Sequence, residues 1–263
     1  SSYMVKPWED LPEKEMRQVR GNSIAMIFQE PMTSLNPVMT IGDQIGEVFR
    51  IHQKLPKNEA KKRSLEMLDL VKLPDPSRTS KEYPHQLSGG MRQRIMIAMA
   101  LSCKPEILIA DEPTTALDVT IQAQILDLLN NLRSEFGTSI ILITHNFGIL
   151  AEMATRIIVM YAGRKIEEAP TEKLFYNSQH PYTSGLMLAV PRLDKRTETY
   201  QLKRSKLAEI SGTVPSPTEK IIGCAFSSRC SIYNKTKCNL LPNLFETDEG
   251  HYVACWNAET KML

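Results

Sequence analysis

Leu87-Ser88-Gly89-Gly90-Met91-Arg92-Gln93-Arg94, followed shortly by Ile107-Leu108-Ile109-Ala110-Asp111-Glu112-Pro113, is the stretch that decides how this chain folds. The first segment reads as a glycine turn opening a long helix. Ser88 is a good N-cap residue, and Gly89 and Gly90 let a ligand come close to the backbone. The N–H groups of such a first turn, with the positive end of the helix dipole behind them, attract phosphate oxygens. The second segment reads as a short apolar strand that ends in two carboxylates. Asp111 would hold Mg²⁺ there, and Glu112 would polarise an attacking water. A plainer reading has Ser88 as a mere cap, and Asp111 and Glu112 as caps of the next helix with Pro113 in its first turn. The two motifs in this order, with Ala116-Leu117-Asp118 following at once, favour phosphate chemistry.

Working outward, Ser23 to Phe28 is a compact apolar run that reads as a buried strand with Gln29 directly after it. Met91 to Cys103 is a helix apolar on most sides. Thr120 to Phe136 is amphipathic, with Ile121, Ile125, Leu128, Leu129, Leu132 and Phe136 at spacings of three and four, and Gly137 stops it. Ser139 to Thr144 is a second apolar strand, ending at His145. That strand should lie beside the one ending at Asp111, so the His145 ring could reach the same phosphate, and the Gln29 amide could touch both Mg²⁺ and water. Strand, helix, strand without alternation implies an α/β fold with a parallel sheet covered on both faces. Residues 40–95 read as a small helical subdomain, with stripes at Ile45, Val48 and Phe49 and at Leu65, Leu68 and Val71. Ile157 to Tyr161 and Lys165 to Glu168 around Gly163 form a hairpin pattern. On this reading the core runs from 1 to 175, a linker occupies 176–220 and is least patterned over 192–220, and a small cysteine-rich unit occupies 221–263.

Composition sets outer limits. Hydrophobic residues at 42% and charged residues at 24% describe an ordinary globular protein. A formal net charge of +2 makes no case for nucleic-acid binding. The longest nearly apolar stretch, Ile95 to Cys103, is far short of the ~20 residues that span a bilayer. The first residues read as no signal peptide. The start at Ser1 rather than Met reads as processing or as a piece of something longer.

Four of the five cysteines crowd the last forty residues. Cys224, Cys230, Cys238 and Cys255 are spaced C-x5-C-x7-C-x16-C, and four thiolates can hold Zn²⁺ or an iron–sulfur cluster. The lack of paired C-x2-C knuckles tilts the expectation to [4Fe–4S], with Zn²⁺ as the alternative and unligated thiols as the third reading. Cys103, in the apolar helix, reads as core.

Gln29-Glu30-Pro31-Met32-Thr33-Ser34-Leu35-Asn36-Pro37 and Asp111-Glu112-Pro113-Thr114-Thr115-Ala116-Leu117-Asp118-Val119 resemble the ATPase subunits of oligopeptide/dipeptide importers of the ATP-binding-cassette (ABC) class. His180-Pro181-Tyr182-Thr183 and the C-terminal cysteines support that subfamily. The resemblance runs from about Lys14 to Trp256. It implies a partial P-loop NTPase fold in which Gln29 is the Q-loop glutamine. It makes Ser88, Gly89 and Gly90 the signature loop and Asp111 and Glu112 the Walker B pair. Asp118 becomes the D-loop aspartate and His145 the switch histidine. It further implies ATP with Mg²⁺, a [4Fe–4S] cluster, a homologous second cassette forming a heterodimer, two membrane permease subunits, an extracytoplasmic solute-binding protein, and a peripheral place on the cytoplasmic face of the membrane. Asn146 stands where the family has Asp.

The larger departure is that no Gly-x-x-x-x-Gly-Lys-[Ser/Thr] loop occurs in residues 1–263. A chain lacking that Walker A segment should hold nucleotide poorly alone, and truncation is the simplest account. The expected function is ATP hydrolysis driving import of di- or oligopeptides. The alternative is a non-hydrolysing half-cassette that supplies only the signature face. A chromosome- or repair-type cassette is disfavoured by the near-neutral charge.

Overall fold

Three apolar runs pair as parallel strands, β1 (Ile24–Ile27), β2 (Ile107–Asp111) and β3 (Ser139–Ile143), in the order β1-β2-β3. The computed structural model describes residues 10–29, 34–115, 117–189, 210–216, 218 and 221–258. Glu30 to Thr33, Ala116 and most of the stretch read as a linker over 192–220 lie outside the described residues. The chain divides into two units, Ser1–His145 and Asn146–Leu263.

In the first unit, helix α1 (Glu13–Val19) precedes β1. Helices α2 (Ile41–His52), α3 (Lys57–Leu70) and α4 (Pro76–Thr79) pack on one another and lead to α5 (Gly89–Leu101). Helix α5 carries Ile95, Ile97 and Ala98 fully buried and lies against β1. Helix α6 (Val119–Phe136) buries Ile125, Leu126, Leu128, Leu129 and Leu132, and Gly137 ends it in the left-handed conformation at φ 68°. That conformation is nearly free of cost only for glycine.

The sheet departs from the expected double cover. Ala25, Ile27, Leu108 and Ala110 are buried on one face. On the other face Met26, Ile109 and Ile141 line up in one row of the ladder, with Met26 38% and Ile141 52% exposed. The side-chain period of two puts alternate residues on opposite faces. In β1 and β2 the apolar runs are therefore buried on one side and, among the described residues, partly exposed on the other, while β3 is at most half-buried on either face.

The second unit is antiparallel. Strands β4 (Arg156–Tyr161) and β5 (Arg164–Pro170) form the expected hairpin, and β6 (Phe245–Asp248) and β7 (His251–Val253) join it in the order β4-β5-β7-β6. Around it lie α7 (Phe147–Met153), α8 (Thr171–Tyr176) and α9 (Pro181–Ala189). The cysteine-bearing tail is thus one edge of the same sheet as the hairpin, through the pairing of Glu167 with Val253 and Glu168 with Tyr252. A separate unit over 221–263 does not describe it, and α9 occupies part of the stretch read as linker.

The physical reason for the join is a buried carboxylate. Glu167 is fully buried and accepts hydrogen bonds from the Gln179 N–H at 2.6 Å, the His180 N–H at 3.0 Å and His251 Nε2 at 2.8 Å. A carboxylate in the interior is tolerated only when its lone pairs are filled in this way. His180 in turn is 1% exposed, and its Nδ1 accepts the Tyr182 N–H at 3.1 Å. Burial pushes its imidazole down to about 4, so it packs as a neutral ring beside Phe226, centroids 5.7 Å apart. The His180-Pro181-Tyr182-Thr183 string is therefore a packing device. Replacing Glu167 with Ala should lower the unfolding free energy by about 3 kcal/mol, because two buried donors and one half-buried donor lose their acceptor. Urea denaturation measures it, and a loss under about 1 kcal/mol would show that the node is not structural.

Candidate functional site

Ladder register brings the candidate groups to one edge. Ile27 pairs with Ala110 and Asp111 with Ile143, so Gln29 and Glu112 are level and His145 sits just beyond them. All three follow the carboxyl ends of parallel strands, the edge at which open α/β sheets bind ligands.

Glu112 is the hub. Its Oε2 accepts from Gln29 Nε2 at 2.9 Å and from Thr115 Oγ1 at 2.8 Å, and its Oε1 lies 3.0 Å from His145 Nδ1. An ionised carboxylate only accepts, so the last contact places a proton on Nδ1. The Thr115 hydroxyl first, then His145, holds the Glu112 carboxyl below the usual carboxylate range. The Glu112 side chain is 22% exposed and that of His145 77% exposed, so the cluster is open to solvent. Glu112 itself has φ 43°, a left-handed conformation uncommon outside glycine and characteristic of functional sites. Its N–H is tied to the Ile143 carbonyl at 2.9 Å, and its carbonyl accepts the Thr115 N–H at 3.1 Å. Pro113 is thereby the second residue of a four-residue turn, the position proline favours.

The remaining candidates stand apart from that cluster. Asp111 ends β2, half-buried, and its carboxylate forms no ion pair among the described residues. Ser88 caps α5, its Oγ accepting the Met91 N–H at 3.4 Å, and Ser88 and Gly89 are exposed. Gly90 is where α5 meets α6, since a Cβ there would come 2.9 Å from Ile121 Cγ2. Asp118 is exposed and caps α6 by accepting the Ile121 N–H at 2.9 Å. Asp118, not Asp111 or Glu112, is the helix cap, which removes the plainer reading of the two carboxylates.

The profile of the ABC transporter family matches residues 5–115, and that of the oligopeptide/dipeptide transporter C-terminal region matches residues 166–238. The chain is 53% identical over 249 residues to a probable peptide ABC transporter ATP-binding protein of Sinorhizobium fredii, covering 95% of this chain and 72% of that protein. This chain belongs to the ABC transporter ATP-binding proteins of the oligopeptide/dipeptide family. Another ABC relative, the dipeptide transport ATP-binding protein DppD of Bacillus subtilis, is 50% identical over 246 residues, covering 94% of this chain and 71% of that one. An ATP-binding cassette solved as a dimer in a post-hydrolysis state with ADP and Pi superposes with a TM-score of 0.55 at 32% identity, over 62% of this chain and 68% of that one. A second cassette, cbiO1 of Clostridium perfringens, gives a TM-score of 0.55 at 28% identity over 67% of each chain.

The cysteine expectation is corrected. Among the described residues no group of three or more His, Cys, Asp or Glu side chains is placed to hold a metal ion. That removes both [4Fe–4S] and Zn²⁺ from Cys224, Cys230, Cys238 and Cys255, which are free thiols. Burial pushes the thiols of Cys224, Cys230 and Cys255 up. Cys224 and Cys230 pack against the apolar core around Tyr161, Ile166 and Phe226, and Cys238 and Cys255 are buried. They behave as small apolar side chains. Cys103 is half-buried at the end of α5, lining a cavity of about 190 Å³ with Phe49, Leu101 and Phe136.

Two features escaped the sequence reading. The Thr115 bond had a signal in the Glu112-Pro113-Thr114-Thr115 string, which places Thr115 at the fourth position of a proline turn. The Glu167 node had none, because a glutamate in a charged hairpin looks like surface. With an aromatic disulfide reagent, all five thiols should react in urea, and Cys238 and Cys255 should be the slowest in the native chain. Fast reaction of both would contradict their packing role.

Proposed function

We propose that this protein is the ATP-hydrolysing subunit that powers import of di- and oligopeptides through a membrane ABC transporter. The observation that carries the proposal is the Glu112 carboxylate, held by Gln29, Thr115 and His145 at the carboxyl edge of a parallel sheet. Relatives named as peptide and dipeptide transport ATP-binding proteins supply the transported class.

Glu112 is the general base. Among the described residues one lone pair of its Oε1 is unengaged, and that pair can orient a water and take its proton as the terminal phosphate is attacked. His145 commits Nδ1–H to Glu112, so a further bond from Nε2–H to a phosphate oxygen would use the imidazolium form. Asp111 and Gln29 are hard oxygen donors suited to Mg²⁺, which is held by few protein oxygens together with substrate phosphates. Gln29 spends its amide nitrogen on Glu112, which leaves its carbonyl oxygen for that ion. Mg²⁺, when bound, neutralises charge on the transferring phosphoryl group. Ser88, Gly89 and Gly90 offer the exposed N-terminus of α5 to the nucleotide of a partner cassette, and Asp118 lies at the same interface. This division of labour implies a pair of cassettes, with a homologous second cassette as partner and two permease subunits to drive. An extracytoplasmic binding protein delivers the peptide. No helix among the described residues is long and apolar enough to cross a membrane, which suits attachment to permeases at the cytoplasmic face. The half-cassette alternative is not favoured, since a base with its three holding groups is assembled.

Replacing Glu112 with Gln in the assembled transporter should cut phosphate release about a hundredfold or more while leaving nucleotide binding intact. Retained hydrolysis would remove Glu112 from the role of base. Residues 1–263 contain no Gly-x-x-x-x-Gly-Lys-[Ser/Thr] loop. The isolated 263-residue chain should therefore bind MgATP only weakly, with Kd on the order of millimolar. Micromolar binding by calorimetry would place the nucleotide elsewhere than proposed.

A further inference from the structure

Of the groups that hold Glu112, Thr115 has no part in the reading above beyond its presence. Its placement is over-determined. The 2.8 Å side-chain bond from Thr115 Oγ1 to Glu112 Oε2 and the 3.1 Å backbone bond from the Thr115 N–H to the Glu112 carbonyl join the same two residues. Pro113, buried at the second position of that turn, sets its φ and so fixes where the hydroxyl falls. The strained φ of 43° at Glu112 turns its backbone so that both bonds can form.

We propose that Thr115 is a positioning residue for hydrolysis, its hydroxyl holding Oε2 of Glu112 so that Oε1 is the oxygen left to receive the proton from water. A carboxylate oxygen has two lone pairs. Among the described residues, those of Oε2 are filled by Gln29 and Thr115, whereas Oε1 has one pair engaged by His145 and one open. In the step, the water oxygen bonds to the terminal phosphorus and the bond to the bridging oxygen breaks. The electron pair leaves with ADP, and the water proton passes to Oε1. Thr115 exchanges no proton and touches no phosphate. It narrows the carboxylate to one productive face, in the sense that oriented groups react faster than mobile ones. The inference rests on the reading of Glu112 as base.

The groups facing Glu112 are Gln29 after β1, His145 after β3, Thr115 on its own turn and Asp111 beside it in the chain. Thr115→Val removes the hydroxyl at nearly constant shape and leaves the other three. The test measures kcat and KM for the assembled transporter with Thr115→Val, Thr115→Ser and Glu112→Gln, alongside nucleotide binding. The expected result is a drop of about fivefold in kcat for Thr115→Val at unchanged KM and nucleotide affinity, which Thr115→Ser restores. An unchanged kcat in Thr115→Val overturns the proposal, and so does a loss carried by KM or by nucleotide affinity, or a failure of Thr115→Ser to restore kcat. Full activity in Glu112→Gln instead removes the base assignment beneath it, a result distinct from either.

Discussion

The pairing of Ala110 with Ile27 on one side, and of Asp111 with Ile143 on the other, sets where the groups around Glu112 sit. A parallel ladder sends all its carboxyl ends to one edge, and side chains there must come from residues just past the strands. Gln29, Glu112 and His145 are those residues. A slip of one residue in β1 would turn Ala25 and Ile27 away from the buried face and carry Gln29 out of reach of Glu112. Burial of Ile27 at 0% and Ala110 at 0% therefore enforces the register that builds the site. Core packing and chemistry are the same constraint seen from two ends of a strand.

The sequence made this unit readable because its signals are local. An apolar run with a charged end marks a strand and its edge, Ser88 marks a helix start, and Gly137 marks a stop. Each was confirmed within a residue or two, in accord with how well caps announce themselves. What could not be read were distances across the chain. The hydrogen bond between Gln29 and Glu112 spans 83 residues, and only the fold creates it. The open face bearing Met26 and Ile141 was likewise hidden, since a continuous apolar run looks the same whether one or both faces are covered.

In the second unit the sequence misled for a physical reason. Cysteine spacing suggests ligation because ligands are known by their intervals, yet a thiol is also among the most readily buried side chains. The choice turns on surroundings that the spacing does not report. Cys224 and Cys230 pack against an apolar core, Cys238 and Cys255 are buried, and their segments are held by other means. Gly223, at φ 77°, lets the Cys224 N–H approach the Cys238 carbonyl to 3.0 Å, where any Cβ at residue 223 would collide with that oxygen. The tail is anchored through His251 to Glu167, a carboxylate that composition would assign to solvent.

The two carboxylates Glu112 and Glu167 show how one functional group takes opposite roles from its setting. Glu167 has three donors, no exposure and a buried histidine against it, so its bonds hold elements together and it has no capacity to spare. Glu112 also has three partners among the described residues, but it stands open to water on a strained backbone with one lone pair uncommitted among them. In water each of its hydrogen bonds contributes little net stability, because solvent would replace any that broke. Their effect is on direction. The left-handed φ costs on the order of 1 kcal/mol, which backbone bonds to Ile143 and Thr115 offset, and strain sustained in that way is the mark of a residue placed for chemistry. A carboxylate held for stability is saturated and dry, whereas one held for reaction must be fixed in orientation and left a vacancy at the oxygen that reacts.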